Sequence, residues 1–354
     1  MTISNAIDPM TPLGPELAKA AIALVRDMMC VVPGEHVLVT SDTGSDKNAV
    51  EAIVNASYLL DAKVASMMLA PPLPFQGGLA NPYMPDPVVA AAQNCDAWID
   101  LCMPYMAGAE VYDTAMKNGR TRYFLAADIG AGGIIRIFTK ADLDQVFVVS
   151  DMFNALLAES AGKSCRFTTP LGTDVTFTLA APEGLAIERA TKPGGFFVPG
   201  TVMVIPELES VKGTIVCEST FHEYYTPLEE PYRFEVDGKI QEVTGGGTEL
   251  RAIKRSLKRA GNGEYGNIVH FTCGYHPAAR FTGKSFIEDQ RVVGCNAVGL
   301  GLPQWVDGGG ENHPDCVMRN QSFWIDGEQV IDEGNIVAPP DLAKAVTDLV
   351  PVYG

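Results

Sequence analysis

The chain has 354 residues, 47% of them hydrophobic and 19% charged, a globular balance in a length that implies two domains. Asp and Glu outnumber Lys and Arg by 43 to 26, for a net charge of −17. That argues against nucleic acid or an anionic membrane surface as partner, because both need clustered basic side chains.

No basic segment followed by an apolar core opens the chain, so no secretory signal is expected. No apolar run approaches the ~20 residues needed to cross a bilayer. The eight cysteines, at 30, 95, 102, 165, 217, 273, 295 and 316, form no C-x-x-C pair. Scattered in this way they read as buried thiols of a cytoplasmic protein.

In chain order, PELAKAAIALVRDMM (15–29) has apolar residues at helical spacing, and EHVLVTSD (35–42) is a β-rich run ending in turn residues. KNAVEAIVNASYLLD (47–61) reads as helix and AKVASMMLA (62–70) as strand. The segments 85–95, 96–103, 109–119 and 121–128 continue the alternation. This predicts an α/β domain with a mostly parallel sheet over residues 1–155. DIGAGGI (128–134) misses the G-x-G-x-x-G spacing of a dinucleotide loop and reads as a plain turn. No phosphate-binding G-x-x-x-x-G-K-[ST], no G-x-S-x-G and no H-E-x-x-H occurs.

Near residue 160 the pattern changes to short, turn-bounded runs rich in β-branched and aromatic residues. They are CRFTTP, TDVTFTLA, TVMVIPE, GTIVCEST, YRFEVDGKIQEVT, NIVHFTCG, SFIEDQRVVG and SFWIDGEQVIDEG. Residues 156–354 are therefore expected to form a β-rich (α+β) domain, with one inserted helix in 245–262.

Five histidines occur, at 36, 222, 270, 276 and 313. His36 opens a strand and reads as structural. His313 and Asp315 stand two apart in ENHPDCV, after Gly308-Gly309-Gly310. On an extended segment such a pair points to one side, and an imidazole beside a carboxylate is half of a metal site. A surface turn with a solvated histidine is the competing reading. His270, at the end of NIVHF, could complete a set of two imidazoles and one carboxylate, but spacing alone does not bring it to His313.

Residues 165–340, and more loosely the half before them, resemble the aminopeptidase T family of metallopeptidases and its non-peptidase relatives, which include the bacterial 2,5-dihydroxypyridine 5,6-dioxygenases. GGFFVPGTVMVIPELESVKGTIV (194–216) is similar to the peptidases' FPDGEVFTAPxEDSVNGTI. NIVHFTCGYHP (267–277) is similar to xIGELALGTNP, with Gly274 and Pro277 in register. GCNAVGLG (294–301) is similar to GTNHIALG, HPD (313–315) to H-x-D, and FWIDGEQVIDEG (323–334) to LYxDGExIxxxG.

The departures from that pattern separate the functions. Thr201 stands at the first peptidase Glu, His270 at the second, and Ala297 at the GTNHI histidine. Only His313 and Asp315 are kept. A centre of two metals ~3.5–4 Å apart needs several bridging carboxylates, which this chain lacks. The resemblance implies instead one metal, Fe(II), held by His270, His313 and Asp315. The implied activity is ring-cleaving dioxygenation of a hydroxylated pyridine, with 2,5-dihydroxypyridine and O2 as substrates and N-formylmaleamate as product. A metallo-aminopeptidase, a non-catalytic metal-binding protein, and a dioxygenase for another hydroxylated ring are the rivals. A homo-oligomer, a dimer or higher, is expected.

Further catalytic candidates are Tyr105, after the C-terminal end of a strand, and Tyr275, His276 and Arg280 around His270. His276 also reads as a structural turn residue. Glu218, His222 and Tyr224 in ESTFHEYY form a polar-aromatic cluster that could hold a flat ring or be a solvated loop. Trp305 reads as packing.

Overall fold

The computed structural model describes residues 13–71, 75–181, 187–303, 306, 309 and 312–351. Trp305, Gly308 and Gly310 lie outside the described residues. In chain order, α1 (Gly14–Ile22), β1 (His36–Asp42), α2 (Lys47–Leu59), β2 (Lys63–Leu69), α3 (Asp86–Gln93), β3 (Ala97–Asp100), α4 (Glu110–Met116), β4 (Arg122–Leu125), α5 (Ala131–Thr139) and α6 (Leu143–Glu159) alternate as the pattern predicts. α2 and α6 start where Asp46 and Asp142 accept hydrogen bonds from the amides of Asn48 and Asp144. β5 (Ser164–Thr168) and β6 (Asp174–Thr178) follow, then β7 (Gly194–Phe197). The first sheet has the order β2-β1-β3-β4-β7, and every neighbouring pair is parallel.

The rest comprises β8 (Thr201–Val204), β9 (Lys212–Phe221), β10 (Tyr225–Asp237), β11 (Lys239–Gly245), α7 (Leu250–Ala260), β12 (Asn267–Gly274), α8 (Phe286–Asp289), β13 (Asn296–Gly301), β14 (Asp315–Met318), β15 (Ser322–Ile325), β16 (Glu328–Asp332), β17 (Asn335–Ile336) and α9 (Pro340–Asp348). With β5 and β6 these strands form a twelve-stranded antiparallel sheet. Its centre is buried on both faces. Ala297 and Val317 belong to the apolar cluster shared with the first sheet, while Val298, Cys316 and Met318 belong to the cluster on the far face. That is the period-2 alternation of strands covered on two sides.

The division drawn at 155/156 lies within α6, and β7 returns to the edge of the first sheet after β5 and β6 have joined the second. The Gly-Gly-Phe-Phe of β7 is too short to announce itself as a strand. Two expectations need correction. In DIGAGGI only the first residues turn, because α5 begins at Ala131. The segment 285–294 opens with α8 rather than a strand. The Ser285 hydroxyl accepts from the Glu288 amide, and the Asp128 carboxylate accepts from the Phe286 and Ile287 amides. These bonds satisfy amides that a helix start leaves unpaired. SFIE carries the S-x-x-E pattern of a helix start beside apolar residues that favour a strand.

Candidate active site

The carboxyl ends of the parallel strands face the second sheet, and between them lies a cavity of about 620 Å³. Ligand sites of open α/β sheets occupy this position. Tyr105 and Ala107 follow β3, Leu125 ends β4 and Phe197 ends β7. The opposite wall carries Met203, Val269, His270, Thr272, His313 and Asp315, and the α8 segment adds Phe286, Ile287 and Gln290.

His270 and Asp315 reach the cavity from β12 and β14, on either side of β13. Gly299 of β13 is the cross-strand partner of both. A Cβ at Gly299 would lie 2.3 Å from His270 Nε2, so the absent side chain is what lets the imidazole lie across β13. A β-bulge at Val269 shifts the register between Ile268 and His270. Adjacent residues of a regular strand point to opposite faces, but here both Val269 and His270 line the cavity. Bulges re-aim side chains in this way beside functional sites. His313, in the extended run before β14, completes the group.

The three ligand atoms converge. His270 Nε2 is 3.1 Å from His313 Nε2 and 3.4 Å from Asp315 Oδ1, and His313 Nε2 is 3.7 Å from Asp315 Oδ2. All three side chains place a ligand atom within 4.8 Å of the others. Adjacent donors at ~2.1 Å from one ion stand ~3 Å apart, so the spacing suits a single metal. Burial lowers His270 to about 3, helped by the neighbouring His313, and lowers His313 to about 4, so both rings are neutral with lone pairs to offer. Burial raises the Asp315 carboxyl well above its ordinary range, and its Oδ1 has no hydrogen-bond partner. A divalent ion would reverse that penalty. The donor set therefore fits a mononuclear centre.

Among the other candidates, Tyr105 lines the cavity. Its loop is held by Asp100, whose buried carboxylate accepts from Thr40 Oγ1, Tyr123 OH and the amides of Cys102 and Met106 at 2.7–3.1 Å. Burial and then the Asp315 charge raise the Tyr105 phenol, so it stays protonated.

The remaining candidates stand elsewhere. His276 is fully buried, donates from Nε2 to the Ile137 carbonyl at 3.1 Å and accepts the Ala278 amide at Nδ1, so both nitrogens are spent on structure. Tyr275 donates to the Val146 carbonyl in the core. Arg280 is exposed, and its amide donates to Glu288. Glu218 pairs with Arg319. His222 meets Glu249 at 3.0 Å, with Tyr224 OH on the same carboxylate. Neither Glu218 nor His222 is among the cavity-lining residues.

Gly299 and Gln290 escaped the sequence reading. Gly299 had one available signal, since the similar peptidase motif GTNHIALG carries Ala at that position.

The profile of the NicX family, described as 2,5-dihydroxypyridine 5,6-dioxygenase, matches residues 21–338. No curated protein sequence matches. Among solved structures, 2,5-dihydroxypyridine dioxygenase from Pseudomonas putida KT2440 is similar with a TM-score of 0.72 at 19% identity, over 93% of this chain and 99% of that one. AmpT from Thermus thermophilus is similar with a TM-score of 0.64 at 12% identity, over 92% of this chain and 99% of that one. At such identities the structures establish the shared two-part fold. The profile, which spans nearly the whole length, establishes more: the chain belongs to the 2,5-dihydroxypyridine 5,6-dioxygenase family.

Proposed function

We propose that this chain opens 2,5-dihydroxypyridine between C5 and C6 to N-formylmaleamate in an Fe(II)-dependent reaction, with His270, His313 and Asp315 holding the ion. Family membership supports the dioxygenase chemistry. The observation that carries the metal assignment is the convergence of two neutral imidazoles and one buried carboxylate in the cavity. Such a set suits Fe(II), which when bound would supply open positions for the ring oxygen and O2 together.

The chain's own residues do the rest. Phe197, Met203, Phe286 and Ile287 offer apolar walls for a flat ring and exclude water. Tyr105, kept as a phenol, can donate a hydrogen bond near Asp315 and hold its own proton there. Both atoms of O2 enter the product, so the balance calls for no outside reductant. The peptidase alternative lacks support. Ala297 and the buried, unpartnered Thr201 hydroxyl stand where the similar peptidase motifs carry ligands. Among the described residues the His270, His313 and Asp315 group is the one cluster of its kind. Eight unpaired cysteines, seven of them buried, support a reducing, cytoplasmic setting.

The test is anaerobic reconstitution followed by metal analysis and O2 uptake. One iron per chain and one O2 consumed per ring opened are expected. Two tightly held metals, or peptide hydrolysis without O2 uptake, would refute the reading.

A further inference from the structure

Gln290 closes the α8 segment, is 1% exposed, and has a buried side-chain Nε2 with no hydrogen-bond partner. It lines the same cavity as His270, His313 and Asp315. A buried amide donor left unpaired is costly, and one on a cavity wall can be satisfied by a ligand. The rest of the lining narrows what that ligand is. Asp315 and, at the exposed rim, Asp113 are its carboxylates, and no Lys or Arg is among the described lining residues. None of the undescribed residues is Lys or Arg either. Apart from the proposed metal, the lining offers no cation to pair with a carboxylate on the ring.

A primary amide presents a donor and an acceptor side by side. The matching partner is a lactam, which presents a carbonyl and an N–H side by side. 2,5-Dihydroxypyridine in its lactam form is 5-hydroxy-2-pyridone, and its 2-oxo and 5-hydroxyl groups lie para across the ring. With the 5-oxygen at the triad, the lactam edge points away from it.

We infer that Gln290 reads this lactam edge, donating from Nε2 to the 2-oxo group and accepting the ring N–H at Oε1, and so selects 2-pyridones over phenols and hydroquinones. The inference rests on the proposed substrate. A hydroquinone of the same size leaves the amide unpaired, and sites built around a polar pair reject such analogues strongly.

The test is anaerobic calorimetry on the iron-loaded full chain, where binding occurs without turnover. Wild type should bind 2,5-dihydroxypyridine ~10–100-fold more tightly than hydroquinone. Gln290→Leu should lose most of that ratio, with hydroquinone affinity unchanged or improved. A purely structural role for Gln290 would weaken both ligands alike and leave the ratio standing. A second probe needs no variant. N-methyl-5-hydroxy-2-pyridone lacks the lactam N–H and should bind wild type ~10-fold or more weakly than the parent. A ratio that survives Gln290→Leu, or an N-methyl ligand that binds as well as the parent, overturns the inference while leaving the dioxygenase reading intact. Failure of wild type to bind 2,5-dihydroxypyridine at all overturns both.

Discussion

Gly299→Ala adds one methyl group where the structure has no room for it. The new Cβ would stand 2.3 Å from His270 Nε2, 2.4 Å from Cδ2 and 2.8 Å from Cε1. Comfortable contact between such atoms is ~3.5–4.0 Å, so the imidazole has to retreat by more than ~1 Å. Residue 299 itself cannot yield, because β13 is paired to β12 on one side and β14 on the other. Metal–ligand distances tolerate only ~0.2 Å, and a ~1 Å misplacement at a reactive site costs on the order of 100-fold. Iron affinity should therefore fall ~100-fold or more, and the metal-free protein should lose ~1–3 kcal/mol of stability from overpacking. The assay is competition of Fe(II) against a chelator under anaerobic conditions, beside a thermal melt. In a His270→Ala background the same methyl has space, so the double variant should melt like His270→Ala alone. Wild-type iron affinity in Gly299→Ala would refute the reasoning, and so would an overpacking cost that persists in the double variant.

Asp315→Asn keeps the shape and removes the charge that would balance the ion, so iron content and turnover should fall by more than the ~10–100-fold typical of residues that only support a ligand. The metal-free melt should hardly change, because the wild-type carboxylate is buried without a hydrogen bond at Oδ1; an early melt with normal turnover would make the HPD run a structural turn. Burial raises Asp128 to about 7, against the hydrogen bonds from Phe286, Ile287 and Ser285 that lower it. Its folded value lies above its unfolded one, so its contribution to stability is full below pH ~4 and is lost as pH rises through ~7. Wild type should lose melting temperature relative to Asp128→Asn across that window, and parallel melting curves from pH 5 to 8 would contradict the assignment.

How much of this was legible beforehand depended on whether the relevant contact was local. The α/β alternation and α7 are set by short-range periodicity and turn residues, and the structure has them where the pattern predicts. His313 and Asp315 share a side because only one residue separates them. His270 joins them through strand pairing across 43 positions of chain, and no spacing rule reveals a register. Only the resemblance to a family brought it in. Gly299 was overlooked for a related reason, since its role is to leave space between two neighbours on other strands. The misread α8 shows a different limit. Its start is capped by its own Ser285 and also by Asp128, 157 to 159 positions upstream, and that second partner is not visible in the local sequence.

That distant carboxylate has a counterpart. Asp100 holds the loop that carries Tyr105, and Asp128 holds the segment that carries Phe286, Ile287 and Gln290. Both aspartates follow or end strands of the first sheet, and both spend buried charge on backbone amides rather than on a ligand. The α/β half thus contributes none of the three clustered metal-ligand candidates, yet it fixes two of the walls. The β-rich half supplies His270 and Asp315 from a sheet buried on both faces, and His313 from the extended run just before β14. Changes in the Asp100 or Asp128 loops are therefore expected to alter which ring fits while leaving the His270, His313 and Asp315 cluster in place, and changes along β12 to β14 are expected to alter that cluster while leaving the far wall unchanged.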